Sequence, residues 1–195
     1  MRQFLFSILM YLGLNIQAVA NDFDKGVAAY FIGDYESAIQ FWTPIAEQGD
    51  NLAQYNLGVV YEHGEGVTQD PKTAVKWYTL AAEQGDTTAQ FNLGLIYRNG
   101  KGIPQNYKAA IKWYTFAAEQ QYTKAQYNLG LMYYNGEGFQ QNFIYAHMWV
   151  NISASKGNKL ALNLRELLTE KMSASQIQKA QILAKECINN NYKAC

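Results

Sequence analysis

From Ala53 to Leu160 the apolar and polar positions repeat every 36 residues without a gap. Rows opened by Ala53, Ala89 and Ala125 lie in register, and the first two share 20 of 36 residues. In the first row Ala53, Leu57, Val60 and Tyr61 fall in one sector at about 100° per residue. This predicts an amphipathic helix, helix A, from about Ala53 to His63, with Gly64 able to end it in the left-handed conformation. After a short loop, Asp70 is placed to cap a second helix, helix B, with Pro71 in the first turn, where its missing N–H costs nothing. Asn106 and Asn142 take the capping place in the later rows. Helix B presents Ala74, Val75, Tyr78, Ala81 and Ala82 on one side and ends near Gln84, at Gly85. Gln121 stands where the next row would have that glycine, and is expected to strain or lengthen the turn.

Small residues on the inner faces, Gly58 among them, let two short helices approach closely, and each pair hides its remaining apolar surface by stacking on the next pair. Trp77, Trp113 and Trp149 recur at one repeat position, with Phe41 there in a shortened N-terminal copy, and read as packing between repeats. At the other end Leu160, Leu162, Leu164, Leu167 and Leu168 predict an apolar helix. Ser173 with Gln176 is spaced as a capping box, opening a helix striped by Ile177, Ala180, Ala184, Cys187 and Ile188. The pattern predicts an all-α protein, an α/α solenoid or superhelix of about four helix-turn-helix repeats with a C-terminal helical cap. Its parts are a leader over 1–20, a partial repeat over 21–52, full repeats over 53–88, 89–124 and 125–160, and a degenerate repeat and cap over 161–195.

The motif A-Q-x-N-L-G-x-x-Y-x-x-G-x-G from Ala53, followed by K-x-A-x-K-W-Y and A-A-E-Q-G, resembles the Sel-one-like repeat (SLR) family, relatives of tetratricopeptide repeats. The third copy departs after Gln140, where Ala146 to Trp149 replace the lysine-bearing stretch. The resemblance implies an α/α superhelix that recognises other proteins; in bacteria such proteins are often exported scaffolds or regulators of envelope processes.

Arg2, the apolar run from Phe4 to Leu14 and the small residues Ala18 to Ala20 read as a secretory signal peptide, with an uncleaved anchor as the alternative. Export to the periplasm or beyond the cell is therefore expected, with no stable membrane insertion after cleavage. Oxidising surroundings would favour a Cys187–Cys195 bridge over two free thiols. Composition, 49% apolar, excludes intrinsic disorder, and a formal charge of zero argues against a nucleic-acid partner. That zero is an average: residues 21–155 hold 8 basic and 13 acidic groups, residues 156–195 hold 7 and 3.

No pattern of residues suggests a metal or cofactor, and His63 and His147 lie in different repeats at non-equivalent positions. Ser153 to Lys156 matches a short Ser-x-x-Lys signature, the basis of an alternative reading as a cell-wall hydrolase or a glycan- or penicillin-binding protein. The favoured reading is non-enzymatic. Opposite the core, helix A carries Tyr55, Val59 and Glu62 in the first full row, Phe91, Leu95 and Arg98 in the second, and Tyr127, Leu131 and Tyr134 in the third. In tetratricopeptide-like arrays this is the concave face. Asn56, Asn92 and Asn128 form an amide ladder beside it. Both the aromatics and the amides admit two roles, packing within the scaffold or holding a peptide or helix of an envelope partner.

Overall fold

The computed structural model describes residues 22–193 and 195, so the leader falls outside the described residues. Among these there are helices and turns and no strand. Helix α1 covers 22–31, and α2 follows over Tyr35–Glu47. The A and B helices then alternate as α3 (Asn51–His63), α4 (Pro71–Glu83), α5 (Thr87–Asn99), α6 (Tyr107–Glu119), α7 (Thr123–Asn135) and α8 (Phe143–Ser155). The chain closes with α9 (Lys159–Lys171) and α10 (Ala174–Asn189). This is an all-α repeat fold of the solenoid class, and two compact units divide it at Asp86.

The helix ends follow from local chemistry. Asp70 accepts from the Lys72 and Thr73 amides at 3.0 and 3.3 Å and from the Thr73 hydroxyl at 2.6 Å. Asn106 and Asn142 cap α6 and α8 in the same way, and Ser173 and Gln176 close a reciprocal capping box on α10. Asp50 does for α3 what the sequence pattern did not single out, accepting from the Ala53 amide at 2.8 Å. Gly64 and Gly136 end their helices at φ 73° and 76°. Gln121 keeps the turn geometry of Gly85 and adopts φ 67° itself, so the substitution strains that turn without lengthening it.

In the first unit α2, α3 and α4 pack through Trp42, Leu57 and Val60, with alanines between them. The second unit joins α5 to α8 around Tyr114, Leu129, Met132 and Met148, and α9 and α10 cover α8. Trp77, Trp113 and Trp149 are all buried, at 8%, 6% and 4% exposure, while Phe41 is only half-buried because its neighbour Trp42 takes the inner place. The cap corrects the leucine pattern. Leu164 and Leu168, four residues apart on α9, point inward, whereas Leu160, Leu162 and Leu167 are exposed, as is Ile188 on α10. Cys187 and Cys195 are bridged, with Cα atoms 5.2 Å apart.

A polar device inside the repeats escaped the sequence reading. Gln54 is buried and donates to the Ala46 carbonyl at 2.9 Å, and Gln84 donates back to its side-chain oxygen at 2.8 Å. Gln120 does the same for buried Gln90. In the third repeat the donor position holds Lys156, whose ammonium turns to Gln121, and the buried Gln126 oxygen is left without a partner among the described residues. An unsatisfied buried acceptor costs about 1–3 kcal/mol. Lys156→Gln is therefore expected to stabilise the protein by about 1 kcal/mol in urea unfolding; an unchanged or lower midpoint would show that the introduced amide does not reach Gln126.

Candidate interaction face

Each A helix buries its Gln and Leu positions, which turns the residues just after the glutamine to another side. In the first unit Tyr55, Asn56 and Val59 line a cavity of about 290 Å³ together with Tyr30, Phe31 and Trp42. Phe31 and Ile32 are 83% and 82% exposed, an apolar tip the repeat pattern did not reveal. In the second unit Phe91, Tyr127 and Asn128 line a cavity of about 400 Å³ with Thr123, Lys124 and Leu160. The structure thus brings Tyr-Asn pairs at one repeat position into a cavity in each unit.

Other members of the expected face are engaged by the scaffold. The Tyr78 hydroxyl donates to Glu62 at 2.7 Å. Arg98 makes a two-pronged ion pair with Glu137, Nε at 2.6 Å and Nη2 at 3.1 Å, with both side chains mostly shielded from solvent. The bond to Glu137 raises the arginine's pKa; burial is the largest influence on Glu137 and would lift its pKa, but the bonds from Arg98 and Asn135 together with the arginine's charge outweigh it and hold the carboxyl below its ordinary range. Tyr134 stacks on Phe143 at 5.7 Å. The series at 62, 98 and 134 on that face, Glu, Arg and Tyr in successive repeats, is therefore engaged in contacts within the protein. A glutamate at position 98 would place two carboxylates together and test the scaffold rather than a partner.

The aromatic series also divides. Phe91 is 9% exposed and packs on Tyr114 and Tyr122, at 5.8 and 5.1 Å, so it belongs mainly to the core while its edge lines the cavity. Tyr55 lies 5.7 Å from Tyr78, and Tyr127 and Leu131 pack beside the α8–α9 core. Leu95 is half-buried against the core of its own unit. The Asn ladder behaves otherwise. Asn56 and Asn92 are half-buried and Asn128 is 7% exposed, and none of the three side-chain amides has a hydrogen-bond partner among the described residues.

The catalytic alternative loses its nucleophile. Ser153 is fully buried at the end of α8, and its hydroxyl donates to the Thr123 carbonyl at 2.7 Å. His63 is exposed on its loop side, and no cluster that could hold a metal exists among the described residues. His147 is 2% exposed, and burial followed by the positive charge of Arg165 lowers its pKa. A depressed histidine makes the folded state bind fewer protons than the unfolded one, so its contribution is full at neutral pH and is lost as pH falls below about 6.5. The unfolding midpoint should drop between about pH 7 and 5, and His147→Gln should flatten that part of the profile.

Among the described residues no helix is long and apolar enough to cross a membrane. The family model of the Sel1 repeat matches residues 24–50, 51–86, 87–122 and 123–158. A protective antigen of uropathogenic Escherichia coli strains displaying an SLR fold is 34% identical with a TM-score of 0.72, over 80% of this chain and 34% of that one. The chain thus spans about a third of that protein's length. A Sel1 repeat protein from Oxalobacter formigenes is 33% identical with a TM-score of 0.69, over 83% of this chain and 74% of its own. Among curated proteins the chain finds no match.

Proposed function

Because the chain belongs to the Sel1 repeat family, we propose that it is an exported, non-enzymatic interaction module that holds a peptide or helix of a cell-envelope protein against the Tyr-Asn faces of its A helices. Sel1 repeat proteins generally mediate protein–protein interaction, and the repeat scaffold is generally non-catalytic. One observation carries the choice of face. The amide recurring at 56, 92 and 128 has no hydrogen-bond partner among the described residues, whereas the amide two residues earlier, at 54, 90 and 126, is buried and built into the scaffold. A side-chain amide offers both a donor and an acceptor, the complement of an extended backbone.

A photo-crosslinking aromatic placed at Tyr55 or Tyr127 should trap a partner in intact cells, and the same residue at exposed Lys185 should not. The opposite pattern would move the partner to another surface. The Arg2 to Ala20 stretch and the paired cysteines support export. N-terminal sequencing of the accumulated protein should then begin near Asn21; a chain retaining its first twenty residues would contradict cleavage.

A further inference from the structure

The second unit's cavity has a chemistry of its own. The loop before an A helix ends in Asp50 in one repeat and Asp86 in the next, and α9 is capped by Asn158, which accepts from the Leu160 and Ala161 amides. Before α7 that position holds Tyr122, which makes no side-chain capping bond. Among the described residues the Thr123 and Lys124 amides, the first two of the helix, have no acceptor, while the Ala125 amide donates to the Tyr122 carbonyl at 3.0 Å; Thr123 and Lys124 line the cavity. Thirteen residues of α7 aim their dipole at this point.

Three further features point to a ligand there. Asn128 is more than nine-tenths buried and lies in the cavity wall, one turn along α7, where side chains lean back toward the helix start. Its amide has no partner among the described residues, so a hydrogen-bonding group of a mostly buried side chain is left free at the cavity wall. Lys124 is exposed and enters no ion pair among the described residues, and no carboxylate lines the cavity. Residues 87–195 carry 12 basic groups against 5 acidic ones, a surrounding field that favours an anion. Phe91, Tyr127 and Leu160 give the lining an apolar side, Lys156, Gly157 and Asn158 complete it, and about 400 Å³ lies within the range of ligand pockets.

We propose that this cavity binds the C-terminal carboxylate of a peptide whose last residue is apolar. The carboxylate supplies the acceptor that the Tyr122 side chain does not, accepting from the Thr123 and Lys124 amides and the Asn128 side chain, with Lys124 supplying charge. The terminal side chain lies on Phe91, Tyr127 and Leu160. A C-terminal residue fits because it presents a carboxylate and an apolar side chain on one carbon, its Cα, as the lining requires. The inference rests on the reading of the Tyr-Asn face as the binding face and narrows its ligand in this unit.

The test uses the protein as its host processes it, labelled with ¹⁵N, and two N-acetylated six-residue peptides ending in Ala-Leu, one with a free terminal acid and one amidated. The acid should shift the Thr123 and Lys124 amides and the Asn128 side-chain signals, and the amidated peptide should bind about tenfold more weakly. Lys124→Glu, an exposed change that leaves the core alone, should weaken the acid peptide by a similar factor. Tyr122→Asp, which supplies an internal carboxylate, should abolish the difference between the two peptides. Acid and amide binding equally at Asn128 would overturn the carboxylate claim and leave the binding face standing. Acetate alone binding as tightly as the acid peptide would overturn the peptide claim. No shift at Asn128 with either peptide would overturn this inference, and if crosslinking at Tyr127 also failed, the binding face in this unit would fall with it.

Discussion

Replacing Gly94 by alanine is expected to destabilise the protein by about 3 kcal/mol, although the same change at an exposed helical position would add up to about 1 kcal/mol. A Cβ built on Gly94 comes within 2.4 Å of Cδ1 and Cε1 of Tyr114, and Tyr114 is fully buried between α5 and its neighbours. The ring has no free direction to move in, and its helix is held by the Asn106 cap. The helices α5 and α6 would have to separate, exposing the alanine contacts between them. Gly58 meets Tyr78 at 2.5 Å in the first unit, so Gly58→Ala should behave alike there. Chemical unfolding measures both, and pairing Gly94→Ala with Tyr114→Ala should recover part of the loss, because the second change removes the clash. A stabilised Gly94→Ala variant would mean that this helix contact is looser than described.

The second large effect belongs to the disulfide. Bridging Cys187 to Cys195 closes a short loop, and chain entropy assigns that closure roughly 2.5 kcal/mol. The bridge also holds Tyr192, which is 8% exposed, against the core formed with Trp149 and Cys187. Tyr192 and Asn191 have φ values of 64° and 51°, so the returning segment occupies a conformation it would not choose unaided. Cys195→Ser is the cleaner variant, since Cys187 is buried and its loss would add a packing defect. It should lower the unfolding midpoint under non-reducing conditions and increase hydrogen exchange at the end of α10. Reduction of the parent protein should reproduce both effects. A midpoint unchanged by reduction would show that the last residues are held by packing alone.

The repeat period, the helix boundaries and their caps were legible because each depends on residues close in sequence. Asp70 and Pro71 specify a helix start wherever the chain lies, and Gly64 specifies an end. The packing glycines were legible too, since an unused side chain inside an amphipathic pattern has one plain explanation. Less legible was anything set by partners a repeat away. Arg98 and Glu137 are 39 residues apart, and no local pattern says that one will take the other. Neither did a lone Leu series show which of its members would face α8, because α9 meets that helix along one narrow stripe and the series extends beyond it.

Charge followed the same division. Cutting the chain after residue 155 concealed a sharper contrast: residues 22–86 hold 3 basic and 11 acidic groups, net −8, and residues 87–195 hold 12 and 5, net +7. Where that contrast falls depends on which helices share a core.

The sequence alone determined the repeat, the helices and the positions at which small residues admit large ones, since these obey periods of a few residues. The tertiary structure decided which polar groups those helices consume. Gln54 and Glu62 are satisfied by neighbours, and Asn128 is buried without one among the described residues. Hydrogen-bond satisfaction is a property of groups brought together by folding, and it separates the amides that build the scaffold from those left open to a ligand.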